Sequence, residues 1–136
     1  MPSRLRTATP MGDWRTLKFT ASVDVVGIKD GEAAGTSYLY NVNDTLGAVL
    51  ESAKTGSEAV LIYHAEKILV PKKIGQGEDF GLGERVWWDP VARTVTPTQA
   101  KTYWLVGIAT ENAGTTDTYV EIDLDGAAAI LGDEID

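Results

Sequence analysis

The chain has 136 residues, 43% of them hydrophobic, and a formal net charge of −8. That length suffices for one globular domain with its own core, and the acidic balance excludes a phosphate backbone as the expected partner. Without a cysteine there is no disulfide or thiol chemistry, and no apolar run approaches the ~20 residues that cross a bilayer.

Charge is unevenly distributed. Residues 1–18 carry Arg4, Arg6, Arg15 and Lys18 against Asp13, a net of +3, so the remainder carries −11. Residues 1–15 contain Pro2 and Pro10 and little periodicity, and no hydrophobic signal core. They read as an extended arm that does not stabilise itself. The single β domain is expected over 16–125, and an acidic C-terminal tail over 126–136.

Leu17, Phe19, Ala21, Val23 and Val25 alternate with Lys18, Thr20, Ser22 and Asp24, the period of a half-buried strand. After a turn at Lys29-Asp30-Gly31, a second strand is expected over 36–42. Asn43-Asp44-Thr45 is formally a glycosylation sequon, but it reads better as a turn before a third strand at 45–52. The stretch 58–70 is apolar on both faces and ends at Pro71, which cannot donate to a ladder. Such a strand is central or lies in a subunit interface, which singles out Leu61, Tyr63 and Ile68 as interface candidates. A glycine-rich segment, 75–83, leads into strands at 84–89, 93–96, 102–110 and 117–124. The tail segment Ala127–Leu131 forms one helical turn or docks in extended form on a neighbour. Many short strands and no strong amphipathic helix predict an all-β fold, a small β-barrel or β-sandwich.

The pattern also repeats weakly. Leu46-Gly47-Ala48-Val49-Leu50-Glu51-Ser52-Ala53 is echoed sixty residues later by Val106-Gly107-Ile108-Ala109-Thr110-Glu111-Asn112-Ala113, and onward at Val60/Val120 and Ile62/Ile122. Upstream, Gly35, Tyr38 and Tyr40 match Gly83, Val86 and Trp88 at a shorter offset, so a loop must be inserted between. On this alignment Trp88 and Tyr40 face the core. Trp87 and Leu39 then face outward, where an exposed Trp is an interface anchor.

No catalytic, cofactor or metal site is expected. Neither Gly31–Thr36 nor Lys54-Thr55 has the spacing of a phosphate loop, and Gly75–Gly81 is one residue longer than the dinucleotide fingerprint. His64 is the one histidine and lacks sulfur or nitrogen co-ligands for zinc. Asp123-Leu124-Asp125-Gly126 lacks the glutamate that completes a calcium loop. No pair stands out among the twenty acidic residues for glycoside chemistry.

Several short motifs carry a resemblance: Gly47-Ala48-Val49, Gly56 before a strand, Ile68-Leu69-Val70-Pro71-Lys72, Gly83-Glu84-Arg85-Val86-Trp87-Trp88-Asp89, Leu105-Val106-Gly107-Ile108-Ala109 and Val120-Glu121-Ile122-Asp123-Leu124. Over roughly residues 20–124 the chain resembles small tailed-phage capsid decoration (cement) proteins, some of which carry a label of predicted recombinase. The missing phosphate loop gives that label no support. The resemblance implies a β-rich structural protein on the exterior of the head, made in the host cytoplasm. It implies that the protein binds the major capsid protein, often as a homotrimer, without nucleic acid or membrane. Arg4, Arg6, Trp14, Arg15, Leu39 and Trp87 are the capsid-contact candidates. The rival readings are a carboxylate-dependent hydrolase and another virion accessory, such as a head-fibre base or tail component.

Overall fold

The computed structural model describes residues 14–28 and 38–134. Among these, nine strands form one antiparallel sheet: β1 (Arg15–Thr20), β2 (Tyr40–Val42), β3 (Thr45–Val49), β4 (Glu58–Pro71), β5 (Arg85–Asp89), β6 (Thr94–Thr96), β7 (Trp104–Ala109), β8 (Tyr119–Asp125) and β9 (Ile130–Leu131). The main path runs β2-β3-β4-β8-β7-β5-β6, with β1 on β4 and β9 on β7. The all-β expectation holds, and the sheet curls into a half-barrel.

The long strand β4 is the hub. Ile62 is opposed by Thr16 of β1 and by Ala48 of β3, so those two strands lie on opposite edges. His64 is opposed by Arg15 and by Asp125, which puts β8 on the β3 edge, further along. This explains an apolar strand on both faces. Ala59 and Leu61 join a cluster with Ala21, Val25 and Val49, whereas Ile62, Ala65, Ile68 and Val70 join the main core. The subunit-interface expectation is corrected accordingly. Leu61 and Ile68 are buried within the protomer, and Tyr63 is half-buried against the smaller cluster. That second face is covered by β1 and residues 21–25 of the same chain.

The duplication is real in the hydrogen bonding. Val25 and Ala53 exchange backbone bonds of 2.9 and 3.1 Å, and Phe80 and Ala113 exchange bonds of 2.8 and 3.0 Å. Two residues beyond each first partner, the Gly27 N–H donates to Ser52 Oγ and the Leu82 N–H to Asn112 Oδ1, both at 2.9 Å. Gly47 and Gly107 are required by close approach: a Cβ on Gly47 would enter the Ile62 carbonyl, and one on Gly107 the Asp123 carbonyl. Ile62 and Asp123 are one residue off the sixty-residue offset, because Val49 opposes Leu61 while Ala109 opposes Ile122. Gly107→Ala is therefore expected to cost about 1–3 kcal/mol, the range for overpacking, in a urea melt. Unchanged stability would show that the strands separate freely there.

The upstream alignment is corrected. Tyr40 opposes Gly47, and Val86 opposes Gly107, so the counterpart of Tyr40 is Val86 rather than Trp88. The inserted loop is also located. Asn43 and Asp44, at φ 51° and 70°, close the β2–β3 hairpin in two residues, the positive-φ geometry that matches strand twist. The corresponding β5–β7 connection instead makes an excursion that contains β6.

Both ends of the domain differ from expectation. Trp14 packs on the main core and β1 begins at Arg15, so these two residues belong to the β domain. Residues 126–134 do not form a tail. Gly126–Ala128 is a 3₁₀ turn, Ile130 and Leu131 pair with Leu105 and Trp104, and the Gly132 N–H donates to the Tyr103 carbonyl at 2.8 Å.

Candidate binding surface

The sequence-derived contact residues separate into three groups. Arg4 and Arg6 lie outside the described residues. Arg15 is exposed at the head of β1, and Trp14 is half-buried beside it. Leu39 and Trp87, expected to face outward, are only 3% and 2% exposed. Leu39 belongs to the main core. Trp87 sits between Thr96 of β6 and Leu105 of β7 on an interior strand, so it presents no exposed anchor. His64 is half-buried, and its Nδ1 lacks a hydrogen-bond partner.

A different surface is open. Of the two edges of β1, one pairs with β4, and β2 ends the main path of the sheet. Among the described residues the other edges of β1 and β2 are unpaired, and they face each other across a groove of about 800 Å³, lined by Leu17, Lys18 and Phe19 on one side and by Tyr40 and Val42 on the other. Leu17, Phe19, Tyr40 and Val42 rest on the smaller core cluster, so the floor is apolar while the walls carry backbone donors and acceptors. That chemistry receives an extended strand. A recess of about 410 Å³ lies nearby, and Val23, Tyr40 and Asn41 line both. Sequence reading missed the groove because it depends on which strand edges remain unpaired. The only local signal was the two-residue turn after β2.

Polar anchors hold the other end. Lys73 Nζ donates to Asp89 Oδ2 at 2.7 Å and to the Tyr103 hydroxyl at 3.2 Å. Burial alone would lower the Lys73 pKa, but these hydrogen bonds outweigh it and hold the ammonium above its ordinary value. Burial would likewise raise Asp89. The bonds from Lys73 and from the Ala92 and Val91 N–H groups overcome it, so the carboxyl titrates lower than usual. Lys72 is buried, and its ammonium donates to the Lys73 and Asp117 carbonyls at 2.6 and 3.1 Å. Its pKa is lowered, chiefly by desolvation. Arg93, with φ 59°, stacks its guanidinium 4.1 Å from the Tyr38 ring centre and 5.2 Å from that of Tyr40, tying the β5–β6 turn to β2.

The most exposed large apolar side chains lie in loops: Val91 is 90% exposed, Leu82 71% and Ile74 62%. Ile74 precedes the glycine-rich segment, in which Gly75, Gly77 and Gly83 all have positive φ, and Leu82 lies near its end. Among the described residues no group of three or more histidine, cysteine, aspartate and glutamate side chains is arranged to hold a metal ion.

No curated protein matches the chain. Among solved structures, it is similar to the head fibre gp8.5 N base of bacteriophage phi29. The two share 15% identity with a TM-score of 0.46, over 82% of this chain and 94% of that one. A family profile described as phage cement protein matches residues 13–124, from just before β1 to the last-but-one residue of β8, and the chain therefore belongs to the phage cement proteins.

Proposed function

We propose that this protein coats the exterior of a phage head and stabilises it by bridging neighbouring capsid subunits, with no chemistry of its own. The family match across 13–124 carries the reading. Its major partner is the capsid protein, its working form is a homotrimer, and it is made in the host cytoplasm, where a cysteine-free chain needs no oxidising compartment. Buried area between adjacent subunits, repeated over symmetric sites, turns modest contacts into a stable shell. The protruding Ile74, Leu82 and Val91 offer apolar contact area, and the arm's Arg4 and Arg6 offer charge to capsid carboxylates.

The test is co-sedimentation of the purified protein with heads that lack it. Saturable binding and a rise in the temperature at which heads release DNA are the expected results. An Arg4→Ser/Arg6→Ser variant should bind more weakly and show less salt dependence. Heads that neither bind the protein nor gain heat resistance would overturn the reading.

A further inference from the structure

The two halves of the duplicated fold are not equally complete. β1 opposes β4 as the end of β4 opposes β8: Thr16 faces Ile62 and Lys18 faces Val60, while Ile68 faces Ile122 and Val70 faces Val120. Ile62/Ile122 and Val60/Val120 are the sixty-residue equivalents, so β1 in the first half corresponds to the end of β4 in the second. β2 and β3 likewise correspond to β5 and β7 through Gly47 and Gly107. Among the described residues one strand has no counterpart. In the second half, β6 lies between β5 and the end of β4. Val95 opposes Trp88 on one side and bridges Lys72 in parallel on the other, accepting a 3.0 Å bond from the Lys73 N–H. In the first half, the Asn43-Asp44 turn replaces that excursion, and the place between β2 and β1 is the groove.

The missing strand is written elsewhere in the chain. β6 and its flanks read Arg93-Thr94-Val95-Thr96-Pro97, and the N-terminal arm reads Arg6-Thr7-Ala8-Thr9-Pro10. Only Val95/Ala8 differs. We propose that residues 6–10 of one copy enter the groove of a neighbouring copy as the counterpart of β6, antiparallel to β2 and parallel to β1. The alternation suits the site. In β6, Val95 is buried in the main core while the flanking threonines face the other way, and the proline ends the strand. Ala8 takes the Val95 position over the apolar floor.

Direction decides which copy supplies the strand. The equivalence of Val70 with Lys18 places Lys72 with Thr20, so Ala8 lies beside Thr20 and Pro10 beyond it. The segment from Pro10 to Arg15 spans at most ~17 Å. The return path along β1 exceeds ~20 Å. Parallel neighbours also need a connection of a dozen or more residues. The chain's own arm therefore cannot fill its own groove in this direction. Exchange between copies is head-to-tail, and it closes as a ring such as a trimer when the rotation permits.

The test uses isolated full-length protein, so it stands or falls separately from capsid binding. The chain has no cysteine of its own. Ala8→Cys and Thr20→Cys variants are mixed and oxidised, with Thr116→Cys, on the exposed β7–β8 loop, as the control partner. A covalent dimer from the Ala8→Cys and Thr20→Cys mixture, several-fold above the control, is expected. A double variant that forms only an intrachain bond, or a mixture no better than the control, would overturn the exchange. A second reading needs no cross-link. Ala8→Val gives the arm the β6 pentapeptide and should tighten self-association about tenfold, the worth of two buried methyl groups. Ala8→Pro removes the central N–H and should abolish it. Light-scattering masses that ignore both substitutions would also overturn the proposal.

Discussion

Trp88→Ala should lower the unfolding free energy by about 3–5 kcal/mol, the range for deleting a buried aromatic side chain. Trp88 is 2% exposed, belongs to the main cluster and is flanked across the sheet by Val95 and Trp104. Those neighbours are fixed by backbone pairing on both edges of β5, so the cavity cannot collapse. Domains of this size are stable by roughly 5–15 kcal/mol, so the loss consumes a large share and lowers Tm by ~10–15 °C. Tyr40→Ala should cost clearly less. Tyr40 is only half-buried, and its hydroxyl accepts a bond from the Val26 N–H at 3.0 Å. Denaturant melts followed by fluorescence and far-UV circular dichroism check both. A Trp88→Ala loss under about 1 kcal/mol, well below the range for a buried aromatic, would show that the site is not packed as described.

Asp89→Ala should cost about 3 kcal/mol, because removing one partner leaves the other charge partly buried and unpaired. Lys73 would lose its carboxylate, and the Val91 and Ala92 N–H groups would lose their acceptor in the turn. The effect depends on pH with a definite sign. Asp89 has a lowered folded pKa, so its contribution is present above the unfolded value of about 4 and is lost as pH falls through the folded value. Lys73 has a raised folded pKa, so its contribution is full below about 10.4 and is lost as pH rises through the folded value. Between roughly pH 5 and 10 both act in full. Lys72 runs the other way: its lowered pKa favours the folded state as pH climbs toward the unfolded value. Urea melts from pH 3 to 10 should show the wild-type acid limb flattened in Asp89→Ala. Parallel profiles would show that the ion pair does not contribute.

The period of two in residues 17–20, 58–70 and 119–124 was enough to read strands, because alternation and Pro71 are local signals. The Asn43-Asp44 turn was readable for the same reason, since two residues with positive φ leave a compositional mark. The duplication was visible through Gly47 and Gly107, because each lies where the neighbouring strand's carbonyl leaves no room for a side chain. Alternation assigns residues to faces but does not say what covers each face. It therefore misplaced Leu39 and Trp87, and it read Leu61 and Ile68 as an interface that the chain itself buries. The upstream match was aligned on Gly35 and Gly83, whereas pairing across the sheet to Gly47 and Gly107 makes Val86, two residues earlier than Trp88, the counterpart of Tyr40. The Lys73–Asp89–Tyr103 cluster joins groups up to thirty residues apart, and the groove forms because two edges distant in sequence are brought face to face with no described strand between them. The chain alone thus determined strand content, turns and repetition, which depend on neighbours in sequence. Burial of the second face, pairing partners and open edges depend on contacts between distant segments, and the tertiary structure decided them.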